Sequence, residues 1–193
     1  MNYERNENQT WCDTMEIVYA NGRTNAKSTV WPLAFDWIRQ HFVSPAVILD
    51  LGAGTHVWRA RDTQIIGVDR IRRNRCSNSG DFLLCDLNRG IPLRSKTVDY
   101  AVAVEVIEHL ENPRLFLREI QRLVKKKAIV TCPNGIESGW YNPWTYGFLG
   151  HITIITAWLL EKHFRHAGLQ ILEKRYDSPK EEIVLYLLGV AVE

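Results

Sequence analysis

The chain has 193 residues, of which 46% are hydrophobic and 24% charged, and its formal net charge is +2. These values are ordinary for a globular protein, and the chain is long enough to bury a sizeable core, which excludes a disordered chain. The nearly balanced charge does not by itself call for a nucleic acid. No apolar run reaches the roughly 20 residues that cross a bilayer.

The N-terminal residues lack the basic and then apolar pattern of a secretion signal. The four cysteines show neither a CxxC pair nor a paired spacing, so neither a zinc site nor a disulfide framework is indicated. We therefore expect a cytoplasmic protein without membrane insertion, folded as a single domain over residues 1–193. Residues 1–29 are polar without a clear period, and we interpret them as an N-terminal arm or lid.

A helix and a series of strands are predicted first along the chain. The aromatic and aliphatic residues of Thr29–Val43 recur at near-helical spacing, and Pro45 ends that helix. Short apolar runs follow, each closed by a polar or glycine-containing turn, as in parallel strands buried on both faces. These predicted strands are Val47–Leu51, Ile65–Asp69, Phe82–Cys85, Tyr100–Val104 and Ala128–Thr131.

Two further helices are predicted by their apolar stripes. Residues 112–127 carry one such stripe with Pro113 in the first turn, so the cations Lys125–Lys127 would lie in the last turn, where the helix dipole favours them. The other helix is predicted over Thr156–Ala167 and is closed by Gly168.

The last two strands are predicted over Gln170–Tyr176 and Glu182–Val192, with a Ser178–Pro179 turn between them. Strands joined by helices in this order predict a doubly wound α/β fold. Its sheet would be Rossmann-like, seven-stranded and mostly parallel, with an antiparallel C-terminal strand. Residues 52–64 leave room for about two helical turns at most, and residues 70–81 resemble a loop, so we expect reduced helix cover near the first three strands.

The strongest functional signal is VILDLGAGT, residues 47–55, in which an apolar strand runs into a glycine-rich turn. Glycines let the backbone turn tightly and leave space for a ligand. A dinucleotide fingerprint would place a third glycine at position 57, which is Val57. Asp50 inside the turn suits a cationic ammonium better than a pyrophosphate. An amino-acid-bearing cofactor is therefore favoured.

Two more acids follow the next two predicted strands. Asp69 ends the second strand, where an acid can bind both hydroxyls of a ribose. Asp86 follows the third strand and can accept a hydrogen bond from an adenine amino group. Together with Asp50, these acids would lie at three successive strand ends on one edge of the sheet.

With these residues the chain resembles the class I S-adenosylmethionine-dependent methyltransferases, particularly the small enzymes of methionine and ubiquinone biosynthesis. The matching segments are LDLGAG, IGVD, CDLNRGIPLRSKTVDYAV, EVIEHLENP and LREIQRLVKKKAIVTCPN. The resemblance implies contacts to the methionine part by the glycine-rich turn, to the ribose by Asp69 and to the adenine by residues 85–87. The implied cofactor-binding residues are Asp50, Gly52, Ala53, Gly54, Asp69, Arg70, Cys85, Asp86, Leu87 and Glu105. His56 departs from the families' pattern, which usually has a glycine or small residue there.

The segment EVIEHL follows the fourth predicted strand and places Glu105, Glu108 and His109 at the mouth of the cofactor cleft. Glu108 and His109 can act as a general base for a hydroxyl, or the segment can form an oxygen and nitrogen site for a divalent metal such as magnesium. Its spacing resembles the ubiquinone-pathway O-methyltransferases and the small-RNA 3′-terminal 2′-O-methyltransferases, which hold a divalent ion there. That resemblance implies a metal set completed by His151. Alternatively, Glu108 and His109 cap the next helix or orient the cofactor.

Two loops offer further contacts. Residues 135–150 are rich in Trp, Tyr and Phe, so they predict either a lid that holds a planar acceptor or aromatic packing onto the sheet. The arginines of the 70–75 loop can contact phosphates or the adenine, or form a solvated surface. They are Arg70, Arg72, Arg73 and Arg75.

The sequence thus predicts methyl transfer from S-adenosylmethionine to an oxygen, a nitrogen or a carbon of a small-molecule acceptor. A metal-dependent RNA 2′-O-methyltransferase is the alternative enzyme. A non-catalytic S-adenosylmethionine-binding protein is a third reading. A nicotinamide dehydrogenase is disfavoured by Val57.

Overall fold

The structure is a computed structural model that describes residues 16–19, 30–54, 56–59, 62–71, 81–134, 151–153, 155–177 and 183–190. Its helices are α1 (Val30–His41), α2 (Pro113–Leu123) and α3 (Ala157–His166), and a 3₁₀ turn spans Ile107–His109. Its strands are β1 (Glu16–Tyr19), β2 (Ala46–Leu51), β3 (His56–Arg59), β4 (Thr63–Asp69), β5 (Asp81–Leu84), β6 (Val98–Ala103), β7 (Val124–Pro133), β8 (Leu169–Tyr176) and β9 (Ile183–Val190).

Seven of these strands form one sheet in the order β5-β4-β2-β6-β7-β9-β8. β9 is antiparallel to both of its neighbours, and the other pairings are parallel. The chain proceeds outward from β2 to β4 and β5 and then returns to β6, which lies on the other side of β2. The predicted fold class is confirmed. Such a reversal of strand order is where doubly wound sheets bind ligands, outside the carboxyl ends of their strands.

The core lies on both faces of the sheet. On one face α1 buries Trp37, Ile38 and Phe42 against strand residues such as Ile48 and Val102. On the other face α2 and α3 bury the remaining apolar cluster. That second cluster includes Leu49, Phe116, Leu117, Val130, Leu160, Phe164 and Tyr186. The strands between these two helix layers carry apolar side chains on both faces, as expected for a sheet that helices cover on both sides.

The N-terminal caps of α2 and α3 agree with the predicted starts of these helices. The Asn112 side chain accepts a hydrogen bond from the Leu115 N–H, and Pro113 occupies the first turn of α2. The Thr156 side chain caps α3 in the same way. Gly168 follows α3 with φ +77°, a left-handed conformation that favours glycine. Side-chain caps of this kind typically contribute about 1 kcal/mol each.

The prediction that Lys125–Lys127 end a helix is wrong. α2 stops at Leu123, and the chain continues without a connecting loop as β7 from Val124. Val124 pairs with Val98 of β6, so its backbone belongs to the sheet, although its side chain joins the same buried cluster as the apolar stripe of α2. Lys126 extends from the start of β7 to Asp99, with 3.3 Å between the Nζ and Oδ1 atoms.

The prediction of up to two helical turns within residues 52–64 is also wrong. Residues His56–Arg59 form β3, which pairs antiparallel with β1 in the register Glu16 to Arg59. The N-terminal residues 1–29 therefore include a strand that we did not predict. The consecutive β-branched and aromatic residues in EIVY and HVWR favour extended backbone over helix. The other residues of the predicted arm, up to residue 29, lie outside the described part.

Helix cover is uneven along the sheet. The expected thin cover applies to β4 and β5, whose side chains are mostly half-buried or exposed. It does not apply to β2, which is almost entirely buried between the two layers. Among the described helices, none combines the length and apolarity needed to span a bilayer.

A half-buried ion pair between Glu119 and Arg122 holds α2 to the loop before β6. Glu119 accepts hydrogen bonds from both Arg122 and the Ile91 N–H, and Arg122 donates to the carbonyl oxygens of Ile91 and Leu93. These hydrogen bonds, first of all the one from Arg122, lower the pKa of Glu119 below its ordinary value.

We expect Glu119→Gln to lower the free energy of unfolding at pH 7 by about 1–3 kcal/mol, because it weakens charge-assisted hydrogen bonds. A carboxyl with a depressed folded pKa stabilises the fold above its unfolded pKa and loses that effect as the pH falls through the folded value. Urea unfolding at pH 7 and in the acid range measures both. A difference from wild type that stays constant down to about pH 3, well below the ordinary Glu pKa, would contradict the prediction.

Candidate cofactor and catalytic site

The strand ends of the sheet are aligned at one edge. Leu51 at the end of β2 pairs with Val68 of β4 and with Ala103 at the end of β6. Asp69 at the end of β4 pairs with Leu84 at the end of β5. The segments that follow these four strands therefore leave the sheet side by side. These segments contain the predicted cofactor-binding residues.

The glycine-rich turn after β2 has the conformation that its sequence requires. Gly52 and Gly54 both have positive φ values, +73° and +55°. The backbone N–H groups of Gly52 and Ala53 donate to the Val68 carbonyl oxygen over 2.8 and 3.1 Å. Asp50, just before the turn, is buried, with 3% of its surface exposed. The turn is thus fixed to β4 by its own backbone, with a carboxylate beside it.

The same turn lies directly against the segment after β6. A Cβ atom added at Gly52 would come within 2.5 Å of Val106 Cγ2, which is closer than real contacts allow. The glycine is therefore required both by its φ and by this close approach. Because Val106 lies between Glu105 and Glu108 in the sequence, the predicted cofactor turn and the predicted catalytic segment are in contact.

Asp69 connects two of the predicted cofactor segments. Its Oδ2 atom accepts the Gly54 N–H over 2.8 Å, and its Oδ1 atom accepts the Ile71 N–H over 3.1 Å. Each carboxylate oxygen has a second lone pair, so the group can still accept hydrogen bonds from a ligand. Arg70, next to it, is exposed. Arg72, Arg73 and Arg75 lie outside the described residues.

The segment after β5 forms a turn around Asp86. Asp86 Oδ1 accepts the Asn88 N–H over 3.0 Å, and its other oxygen lies 3.4 Å from Arg89 Nε. The Cys85 thiol donates to the Gly90 carbonyl oxygen, and burial raises the pKa of that thiol. Leu87 packs into the core with 6% exposed. Asp86 stays half-exposed at the ligand edge of the sheet.

Glu105 follows β6 with φ +54°, in the left-handed region that a residue with a side chain rarely adopts. Thr131 of β7 holds it there. The Glu105 N–H donates to Thr131 Oγ1 over 3.0 Å, and the Thr131 hydroxyl donates back to Glu105 Oε1 over 2.9 Å. Burial raises the pKa of Glu105 to about 7, although the Thr131 hydrogen bond lowers it, and the charge of Asp177 adds to the rise.

Glu108, His109 and His151 come together beside this residue. Glu108 is 1% exposed, and neither of its carboxylate oxygens accepts a hydrogen bond from another described residue. Its Oε1 atom lies 3.8 Å from His109 Nε2 and 4.0 Å from His151 Nε2. The two imidazole rings meet edge to face, with 4.8 Å between their centroids.

His151 lies 42 residues after His109 in the sequence, and backbone hydrogen bonds hold its segment against the cluster. The N–H groups of Ile152 and Thr153 both donate to the Glu108 carbonyl oxygen over 3.0 Å. The Thr153 hydroxyl donates to the Leu110 carbonyl oxygen. Glu108 and His109 do not cap α2, because Asn112 does so. Of the alternatives for this pair, helix capping is therefore excluded.

The protonation states in this cluster follow from burial. Burial, and then the neighbouring Glu105 carboxylate, raise the pKa of Glu108 well above its ordinary value. Burial, and then the charge of His109, lower the pKa of His151 to about 4. His151 is therefore a neutral imidazole near pH 7, with a lone pair on one ring nitrogen.

These three groups also fit a divalent metal by their chemistry. One carboxylate oxygen and two imidazole nitrogens lie within 4.8 Å of one another. Two ligands at about 2.1 Å from an ion are roughly 3.0–3.4 Å apart, so the cluster would have to contract slightly around an ion. Glu105, the fourth predicted ligand, is not part of this cluster. Its carboxylate is bound by Thr131 instead.

The sequence analysis missed Thr131 and Asp177. Thr131 is a buried polar residue near the carboxyl end of an apolar strand. A polar residue at that position could have indicated a contact to the site. Asp177 directly follows β8, and its charge raises the pKa of Glu105 although it lies outside the matching segments quoted above. The predicted aromatic loop at 135–150 lies outside the described residues.

A family model described as a methyltransferase domain matches residues 30–174. The chain is 30% identical over 78 residues to the 18S rRNA (guanine-N(7))-methyltransferase bud23 of Schizosaccharomyces pombe. That match covers 35% of this chain but only 29% of the relative, so it spans less than a third of that protein's length.

Solved structures share the fold at low sequence identity. One is a chain of the Haloferax volcanii complex between the Trm112 methyltransferase activator and a methyltransferase, with TM-score 0.69, 17% identity, and 86% of this chain and 90% of that chain covered. Another is the Burkholderia thailandensis 1,6-didemethyltoxoflavin-N1-methyltransferase with bound 1,6-didemethyltoxoflavin and S-adenosylhomocysteine. Its TM-score is 0.64 at 16% identity, with 90% of this chain and 84% of that chain covered.

Proposed function

This chain belongs to the methyltransferase domain family, and on that premise we propose that it uses S-adenosylmethionine to methylate a hydroxyl oxygen of a small-molecule acceptor. The observation that carries the proposal is the contact of Gly52 with Val106, since it joins the cofactor turn to the Glu108 cluster. A proton acceptor beside the methyl donor is what a hydroxyl acceptor requires, because a neutral hydroxyl is a weak nucleophile.

The acidic strand ends would bind the cofactor in three parts. In this proposal Asp50 holds the amino group of the methionine part, and Asp69 accepts hydrogen bonds from the ribose hydroxyls. Asp86 accepts a hydrogen bond from the adenine amino group, with Leu87 and Cys85 beside it. The other residues that we propose for this site are Gly52, Ala53, Gly54, Arg70 and Glu105.

When bound, S-adenosylmethionine supplies the methyl group on its sulfonium, which leaves as a neutral thioether. The protein mainly aligns the acceptor oxygen with that methyl group, which removes the entropy cost of a bimolecular encounter. Glu108 takes the hydroxyl proton at a carboxylate oxygen that no other described residue occupies. His109, 40% exposed at the rim, can pass that proton to solvent. The nearly balanced net charge of +2 favours a small acceptor over a polyanion.

A metal-dependent RNA 2′-O-methyltransferase is the second candidate. The observation in its favour is that His151 joins Glu108 and His109, which makes a set of one oxygen and two nitrogen donors suited to a divalent ion. An ion held there would polarise the attacking hydroxyl and lower its pKa. The short match to an rRNA methyltransferase is consistent with an RNA acceptor.

Binding and transfer of a labelled methyl group test the proposal. We expect calorimetry to show binding of both S-adenosylmethionine and S-adenosylhomocysteine, and the label to move to a panel of hydroxyl-bearing small molecules and not to RNA. Transfer to RNA alone would select the second candidate. Cofactor binding without transfer in either panel would overturn both and leave a non-catalytic binding protein.

A further inference from the structure

A second candidate binding site lies between α2 and α3, away from the strand ends that we assign to the cofactor. It is a cleft of about 270 Å³ lined by Arg114 and Arg118 of α2 and by His163, His166 and Ala167 of α3. The two arginines are four residues apart, so their side chains lie on one face of α2. Both arginines and His166 are exposed.

The charge of the lining comes from its two guanidinium groups, those of Arg114 and Arg118. The lining contains no carboxylate, and within the described part of the chain no acidic group comes within ion-pair distance of Arg114 or Arg118. The nearest acids of the two helices have other partners, since Glu119 binds Arg122 and Glu161 binds Lys174. The two guanidinium charges repel each other, and a bound anion would offset that repulsion.

His163 is a second and independent sign of a ligand. It is 7% exposed, and its Nδ1 atom is buried without a hydrogen-bond partner among the described residues. Buried polar atoms in native proteins are nearly always paired, so each exception calls for an explanation. A ligand that accepts hydrogen bonds from the imidazole ring and the guanidinium groups would supply one.

We propose that this cleft binds a phosphate group. Arginine matches phosphate oxygens with paired, charge-assisted hydrogen bonds, and a guanidinium pair with two imidazoles is a donor set of that kind. Phosphate is also small enough for the observed volume. The proposal stands apart from the methyl-transfer function, because the cleft contains none of the residues assigned to the cofactor or the acceptor.

Histidine ring signals in the NMR spectrum test it with inorganic phosphate as the probe. The chain has only six histidines, so the two rings of the cleft can be assigned by substitution. We expect phosphate, at constant ionic strength against chloride, to shift the His163 and His166 signals with saturation. The double variant Arg114→Ala/Arg118→Ala should weaken that affinity by about tenfold or more, because it removes the charge-assisted hydrogen bonds.

Arg39→Ala is the matched control, since it removes an equal charge per residue from α1 on the opposite face of the sheet. It should leave the phosphate affinity within about twofold, because exposed charges that far apart are largely screened. No saturable shift in the wild type would overturn the proposal. An equal affinity in wild type and the double variant, both shown to be folded by thermal melting, would overturn it as well.

A second arm identifies the source of the phosphate. A short single-stranded RNA is added to the phosphate-saturated chain in the absence of cofactor. Displacement of phosphate from the two rings assigns the cleft to a nucleic-acid backbone. Undisturbed ring signals assign it to a phosphate-bearing small molecule. Both results keep the phosphate site, and neither depends on whether methyl transfer has been detected.

Discussion

We expect Asp69→Ala to weaken S-adenosylmethionine binding by about 100-fold, measured by calorimetry. Two hydrogen bonds from ribose hydroxyls to a carboxylate contribute about 1.5 kcal/mol or more each, and about 1.4 kcal/mol corresponds to a factor of ten. The structure adds a second reason. Asp69 accepts the Gly54 N–H, so its loss also releases the turn that we assign to the methionine part of the cofactor.

A second substitution at Asp69 separates the loss of ribose hydrogen bonds from the release of the turn, and a substitution at Asp81 is the control. Asp69→Asn keeps one side-chain oxygen for the Gly54 N–H, so we expect a smaller loss of affinity, about tenfold. Asp81→Ala removes an exposed acid from the start of β5, where it pairs with Ile66 and not with the end of β4, and should leave the affinity unchanged. Thermal melting checks that each variant is folded. If folded Asp69→Ala protein binds the cofactor as tightly as wild type, the ribose assignment is wrong.

The sheet edge that carries Asp69 could be predicted from the sequence, because the prediction requires only the positions at which the strands end. Apolar runs fix where β2, β4 and β5 finish, and a parallel sheet brings the residues that follow to one edge. Asp50, Asp69 and Asp86 are therefore placed together by local patterns alone. Their order along the chain then matches the order of strands outward from β2.

Contacts between distant segments could not be derived in this way. The pairing of β1 with β3 joins residues 37 to 43 positions apart, and four-residue strands carry too short a pattern to reveal a partner. Thr131 fixes Glu105 through a hydrogen bond that depends on strand register and not on sequence distance. Val124 misled the helix prediction because one apolar residue fits both the end of a helical stripe and the start of a strand.

The second large effect is expected at Glu108. Glu108→Gln should lower the rate of methyl transfer by about 10²–10⁴-fold, the range that a general base contributes. Cofactor affinity should change little, because Glu108 is not among the residues that we propose for the cofactor. Single-turnover transfer and calorimetry measure the two quantities separately.

Stability distinguishes this role from a structural one. Glu108 is a buried carboxylate whose oxygens accept no hydrogen bond from other described residues, so its ionised form costs free energy in the folded state. Replacing it with the neutral amide should leave the melting temperature unchanged or raise it. A structural residue would show the opposite, a lower melting temperature. Glu111→Gln, an exposed acid three residues further on, is the matched control and should change neither rate nor stability.

Chelation then decides between a base and a metal ligand. If Glu108 acts on the acceptor proton directly, wild-type transfer proceeds unchanged in excess chelator, and His151→Ala retains much of the rate because His151 is 4.0 Å from the carboxylate. If the cluster holds an ion, chelator abolishes transfer, magnesium or manganese restores it, and His151→Ala is as impaired as Glu108→Gln. A Glu108→Gln enzyme that transfers methyl groups at the wild-type rate contradicts both mechanisms. The raised pKa of this carboxyl would then be a consequence of burial without a catalytic use.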